Sequence, residues 1–270
     1  MNRLKFSILW LSILAVFLFP QLFAEYSEEI PIRIFYHCSP SILESDSEGR
    51  GGLPTLSSFI DREKEKAKQE GGVAYLFGMG SFYRNSANRK EKPEFLNSVP
   101  YDGIFLDPTE LSSSPSENLS FPLFAVGAKG YASGKNFFFK NLAIEVRETN
   151  SKVRSKSLMP DLRLLFETDQ IPEQVDIKEI VVEDSPSFLF YDSSKQKLEI
   201  PNEKTGAWYN GGIEYLPCPN SIYKVGKLDL VFRNNRLIRQ TNEIVDLNSK
   251  EVNKNWIPRK EETKLDLEKN

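Results

Sequence analysis

The chain has a single histidine, His37, among 270 residues. Any centre that needs several imidazoles is therefore out of reach, whatever the fold. A Ser-His-Asp hydrolase would have to use that one ring, and no Gly-x-Ser-x-Gly turn is present to carry the serine. Cysteine is nearly as scarce. Cys38 and Cys218 stand 180 residues apart, which excludes a disulfide-rich scaffold and leaves either one long-range bond or two buried thiols. Charge of one sign is lacking too: 35 basic and 38 acidic residues, spread along the chain, leave a net charge of −3. The electrostatic footprint of a nucleic-acid binder is missing, and nucleic acid is not expected as a partner. Neither Gly49-Arg50-Gly51-Gly52 nor Gly78-Met79-Gly80 ends in the Lys-Ser/Thr of a phosphate-binding loop, so both are read as turns. Internal repeats and low-complexity blocks are also absent.

What is present begins with one apolar run. Arg3 and Lys5 precede Phe6 to Phe19, and Pro20 and Ala24 follow, the order of a secretory signal peptide. About 14 apolar positions are short of the roughly 20 that cross a bilayer. No cysteine follows the run to take a lipid. The expectation is a signal peptide over 1–24, one domain of mixed type over 25–248 and a polar tail over 249–270. The mature protein is expected to be periplasmic or secreted, with no membrane attachment after cleavage. That compartment is oxidising, where a cysteine pair can persist as a disulfide.

Along the domain, Ile32 to Tyr36 reads as a strand entering the turn-prone His37-Cys38-Ser39-Pro40. Leu53, Leu56, Phe59 or Ile60 and Ala67 recur at helical spacing up to Gln69, and the charges from Asp61 to Lys68 form a solvated face. Gly71-Gly72 stops that helix. Val73 to Phe77 is a second buried strand, closed by Gly78-Met79-Gly80-Ser81. A short helix over Pro93 to Val99 and strands over Gly103 to Leu106 and Phe121 to Val126 follow. Strands alternating with helices favour parallel pairing in an α/β layering. Beyond Gly127 the pattern turns β-rich, at Phe137 to Val146, Leu162 to Phe166, Ile177 to Val182, Phe188 to Tyr191 and Ile213 to Leu216. Leu228, Leu230 and Phe232, with the Asn234-Asn235 turn and Leu237 to Thr241, make a hairpin.

Laid end to end, these segments resemble the metal-dependent domain of the secreted 5'-nucleotidases, which belong to the calcineurin-like metallophosphoesterases. The resemblance covers about Ile32 to Asp246. Gly51-Gly52-Leu53 through the charged helix to Gly71-Gly72-Val73 is similar to that family's Gly-Gly-Leu helix and its following strand. Val99 to Leu106 is similar to the segment leading into the Gly-Asn-His-Glu motif. Phe121-Pro122-Leu123-Phe124-Ala125 and Val225 to Phe232 are similar to the next conserved strand and to the closing strand. The implied fold is α/β, in part α+β: a four-layer αββα sandwich.

Such a site needs carboxylates and several neutral imidazoles to hold two divalent ions that clamp the attacking and leaving oxygens of a phosphate ester. At the matching positions this chain departs from the pattern. Pro40 and Ile42 stand for the Asp-x-His, Ser81 for the bridging aspartate, and Pro108 and Thr109 for the Asn-His pair. Asp192 and Ser194 replace the later histidines, and Thr168 or a neighbour stands where another is expected. The lone His37 matches a position beside the site, where a strand-end ring bonded to its surroundings is the default reading. Read through the resemblance, the chain is a degenerate, non-catalytic member without a metal cofactor, acting by binding a small ligand or protein partner or as a scaffold. The alternative is an active hydrolase of phosphoric esters with a relocated or single-metal site built on Asp102, Asp107, Glu110 and Asp192. The family geometry also implies that Cys38 and Cys218 approach each other as a disulfide.

Other constellations are weaker. Cys38 beside His37 suggests a thiol nucleophile, but neighbours on a strand point to opposite faces. Asp102, Asp107 and Glu110 could act as a glycosidase-like pair, although surface solvation accounts for such residues more simply. Tyr83, Tyr101, Trp208, Tyr209 and Tyr215 would line a vacated cleft, or else pack as ordinary aromatics.

Overall fold

The computed structural model describes residues 28–38, 51–80, 82, 93–107, 119–126, 128–149, 159–168, 185–192, 208–210, 213–221 and 223–248, with backbone alone at 93–95 and 208–210. Its elements are β1 (Ile30–Cys38), α1 (Gly52–Gln69), β2 (Val73–Gly80), a 3-10 turn (Pro93–Ser98), β3 (Gly103–Leu106), β4 (Leu123–Phe124), β5 (Gly134–Phe139) and β6 (Leu142–Glu148). They continue as β7 (Leu162–Glu167), β8 (Ser187–Tyr191), β9 (Trp208–Asn210), β10 (Ile213–Pro217), β11 (Lys224–Arg233) and β12 (Arg236–Asp246).

α1 buries Leu53, Leu56, Phe59, Ile60 and Ala67, the stripe that the helical period selects. Gly51 and Gly52 enter it, and Gly71 leaves it, at positive φ, where a side chain would be strained. The Gly72 amide closes the end by donating to the Ala67 carbonyl at 2.8 Å. Lys66 and Lys68 in the last turn face the negative end of the helix dipole.

The strands form two six-stranded sheets, in the orders β12-β11-β1-β2-β3-β4 and β5-β6-β7-β8-β10-β9. β1 to β4 pair in parallel in the first sheet. β6, β7, β8 and β10 do so in the second. The central strands are covered on both faces and so read as apolar runs rather than alternations. α1 packs on the outer face of the first sheet around Phe35, Leu76 and Ile104. The inner faces of both sheets share one core. A helix, a sheet and a second sheet, three layers of the expected four, are present among the described residues.

A run of rings stitches the sheets together. Phe124 stacks on Phe105 at 4.7 Å, Phe105 on Phe166 at 4.1 Å, Phe166 on Phe190 at 4.8 Å, and Phe190 meets Tyr36 at 4.6 Å. This path crosses from β4 and β3 to β7 and β8 and returns to β1. Tyr36 lies flat over Gly226 of β11, where an added Cβ would come within 2.2 Å of the ring.

Several boundaries differ from the sequence reading. β1 continues through His37 and Cys38, which pair with Gly78 and Met79, so neither the His-Cys pair nor the Gly78-Met79-Gly80 stretch is a turn. The run from Phe137 to Val146 is a hairpin, β5 and β6, turning at Lys140 with φ 53°. Of Phe121 to Val126 only Leu123–Phe124 pairs as a strand. β9 was not anticipated. The strand expected over Ile177 to Val182 lies outside the described residues, as do 1–24 and 249–270. The terminal hairpin is as expected, with Asn234 and Asn235 both at positive φ. Among the described residues no helix is long and apolar enough to cross a membrane.

Candidate functional site

The carboxyl ends of the parallel strands in both sheets meet at one edge of the sandwich. Open α/β sheets place their chemistry at such an edge. His37 and Cys38 end β1, Asp107 follows β3, Glu148 ends β6, Glu167 ends β7, Asp192 follows β8 and Cys218 follows β10. All of these residues are buried.

Strand alternation sends His37 and Cys38 to opposite faces of the first sheet. His37 points to the helix side, beside Phe82 and Tyr101, so it cannot activate the Cys38 thiol. Its Nε2 is 2.7 Å from the Tyr101 hydroxyl. Its Nδ1 is buried with no hydrogen-bond partner among the described residues. Burial away from water lowers the imidazole pKa to about 3. The same burial pushes the Tyr101 hydroxyl upward. This ring is a neutral, enclosed packing residue.

Cys38 points the other way, into the core between the sheets. The Cys218 thiol is hydrogen-bonded to it, and both residues are present as thiols. Backbone bonds fix the pair: the Cys38 amide donates to the Pro219 carbonyl at 2.9 Å and the Cys218 amide to the Tyr191 carbonyl at 2.8 Å. Burial raises the Cys218 thiol pKa and the nearby Asp192 charge adds to this, while the Cys38 hydrogen bond pulls the other way. The two cysteines are therefore adjacent across the sheet interface.

Asp102 lies apart from Asp107, with which the sequence reading grouped it. Asp102 lies at the amino end of β3, where its Oδ2 accepts from Lys64 Nζ at 2.7 Å and from the Leu76 amide at 2.8 Å. Burial raises its pKa, with Lys64 opposing. Asp107 lies beyond the carboxyl end of the same strand, its amide bonded to the Gly80 carbonyl. Five residues of extended chain set the two roughly 16 Å apart. Asp102 is thus a strut between β3, β2 and α1, and it does not join Asp107 in one site.

Two buried carboxylates that sequence reasoning did not single out lie at the shared edge. Glu148 accepts from the Val126 amide at 2.7 Å and from the Thr168 hydroxyl at 2.6 Å. It thereby ties the chain after β4 to the end of β7. Glu167 accepts from the Thr149 hydroxyl. The available signal was an acidic residue closing an apolar strand in Leu142–Glu148 and again in Leu162–Glu167.

Of the positions read as vestigial ligands, Thr168 and Asp192 are described, and both are buried. Pro40, Ile42, Ser81, Pro108, Thr109 and Ser194, together with Glu110, lie outside the described residues. Of the aromatics, Tyr101 and Tyr215 are core residues; Tyr83 and the side chains of Trp208 and Tyr209 lie outside. Among the described residues no group of three or more His, Cys, Asp or Glu side chains could hold a metal ion. The one imidazole is engaged with Tyr101, and the buried glutamates already accept from hydroxyl and amide donors. These residues do not fit a centre of two divalent ions.

This two-sheet α/β sandwich, with its parallel strands ending at one edge, is the fold of the metallophosphoesterases of the 5'-nucleotidase type. A Staphylococcus aureus structure described as a 5'-nucleotidase superposes with a TM-score of 0.58 at 11% identity, over 88% of this chain and 58% of that one. The Thermus thermophilus sulfate thiohydrolase SoxB gives 0.58 at 11%, over 88% and 60%. The Haemophilus influenzae NAD nucleotidase gives 0.52 at 13%, over 81% and 51%. The chain therefore spans between half and two thirds of the length of these proteins, and at such identity the likeness is one of fold. By sequence, no protein-family model and no characterised protein matches the chain.

Proposed function

We propose that this is an exported, non-catalytic protein on a metallophosphoesterase scaffold, which binds a small ligand or a protein partner or serves as a scaffold. The observation that carries the proposal is the state of the single imidazole. His37 is fully buried on the helix side of β1 and paired with Tyr101, and no second histidine exists in the chain to build a two-ion centre. Without such ions a phosphate ester would lose the Lewis acid and the activated water together. The test is hydrolysis of nucleoside 5'-monophosphates and a generic aryl phosphate with manganese present. The proposal requires rates equal to the protein-free blank, and saturable turnover that copurifies with the protein would refute it.

In the oxidising compartment expected for this chain, the adjacent Cys38 and Cys218 would close as a disulfide. Joining the end of β1 to the segment after β10, it would staple the edge where the scaffold otherwise holds metals. So long a loop would contribute ~3–5 kcal/mol. A gain of two hydrogens in mass on reduction supports the bond; two thiols alkylated in the unreduced, unfolded protein would exclude it.

One observation favours a second reading, an active phosphoric ester hydrolase with a relocated or single-metal site. Asp107 and Asp192 are both buried at the shared edge. Under this reading Asp107→Asn and Asp192→Asn would each abolish a measurable turnover. Under the first there is no turnover to lose.

A further inference from the structure

The outer strand of the first sheet is β12. β12 is eleven residues long and contains no proline. It lies at the end of the sheet, with β11 as its only neighbour among the described strands. Strands of this length with an open edge usually carry features that prevent pairing. A bulge at Ile238 is one such feature, but from Arg239 onward the sequence complements itself. When two antiparallel copies are centred on Thr241, Thr241 meets Thr241, Gln240 meets Asn242 and Arg239 meets Glu243. Opposite charges fall together, and so do the amides.

The side-chain faces agree with that register. Asn242 accepts from Tyr36 and Gln240 donates to Glu214, so both lie on the inner face. Glu243 pairs with Lys227, and Val245 packs against the helix-side core, so the odd positions from Arg239 to Val245 lie on the other face, while Leu237, before the bulge, packs on the inner core. The bulge at Ile238, between the Arg239–Val231 and Leu237–Phe232 pairs, ends this regular stretch. Ile238 and Ile244 are 46% and 45% exposed, two of the four large apolar side chains left open among the described residues. Arg239 has no ion-pair partner among the described residues, and Glu243 is more than half exposed.

Neighbouring registers fail. Centring on Arg239 or on Glu243 would set like charges opposite each other. Centring on Gln240 would set Arg239 against Thr241 and lose the charge pair, and centring on Asn242 would set Gln240 against Ile244. One register therefore satisfies both faces, the condition for a specific rather than a slipping edge.

We propose that the chain forms a twofold dimer through antiparallel pairing of β12 with β12 about Thr241, joining two six-stranded sheets into one of twelve. The contact is isologous and uses up both edges, so it closes at two copies instead of growing into a fibre. This interaction surface is independent of whether the scaffold is catalytic.

The test is the mass of the full-length mature protein by sedimentation and light scattering at tens of micromolar. Wild type should have twice the monomer mass. Arg239→Glu alone, and Glu243→Arg alone, each turn two attractive pairs into two repulsive ones and should weaken self-association about tenfold or more. An equimolar mixture of the two variants should recover the dimer, as should the double variant by itself. A wild type that stays monomeric at several hundred micromolar would overturn the proposal. So would a dimer indifferent to both single substitutions, or single variants whose mixture stays monomeric. Dimerisation that appears only after removal of residues 249–270 would show that the chain's own tail holds the edge, and would also overturn it.

Discussion

Acidification should destabilise the folded chain through His37, by an amount the structure sets. Burial holds the folded pKa near 3, against the ordinary imidazole value of 6.5. The folded state keeps the ring neutral while the unfolded chain takes up a proton once the pH falls below 6.5. The contribution of His37 is therefore fully present above that pH. It is lost as the pH falls, at about 1.4 kcal/mol per unit, until the folded ring also protonates near 3. Between pH 7 and pH 5 the loss amounts to about 2 kcal/mol. His37→Phe keeps a ring in the same space and removes the proton site. It leaves the buried Tyr101 hydroxyl without its partner, at a pH-independent cost of ~1–3 kcal/mol. Urea unfolding of both proteins at pH 7, 6 and 5 separates the two effects, because carboxylates titrate in both and cancel in the difference. The wild type should approach the variant in stability by about 2 kcal/mol over this range. Parallel pH dependences would show that protons reach the ring in the folded protein, and the reading of His37 as an enclosed packing residue would fail.

Two further substitutions probe the frame around the site. Phe166→Ala removes the central ring of the stack that joins the sheets and should destabilise by ~3–5 kcal/mol in urea unfolding; a loss under ~1 kcal/mol would mean the stack is not a principal tie. Asp102→Ala strips the acceptor from both Lys64 and the Leu76 amide. It should cost ~1–3 kcal/mol of stability and leave any metal or ligand binding unchanged. Altered binding at unchanged stability would return Asp102 to the site.

The architecture was legible where a single physical cause governed the pattern. The α1 stripe, the Gly71-Gly72 stop and the Asn234-Asn235 turn were all read correctly, because period and positive φ leave few alternatives. The end of β1 was misread because Cys38 and His37 precede Ser39-Pro40, and a local turn signal outweighed the parallel pairing with Gly78 and Met79 that extends the strand. The hairpin of β5 and β6 was merged into one strand because Lys140 and Asn141 give a weaker turn signal than Asn-Gly would. At the edge, the isolation of His37 from Cys38 followed from strand alternation. The separation of Asp102 from Asp107 was also legible, because the strand expected over Gly103 to Leu106 is β3 itself and lies between them, but the two were still read as one cluster. The Glu148 and Thr168 pair could not be foreseen without knowing which strand ends meet.

The central claim is that the scaffold has kept its strands without a set of ligands for two divalent ions. Its most direct test is the metal content of the purified protein after incubation with excess manganese and zinc, desalting and elemental analysis. The account predicts well under one ion per chain. Two tightly held ions per chain would contradict it.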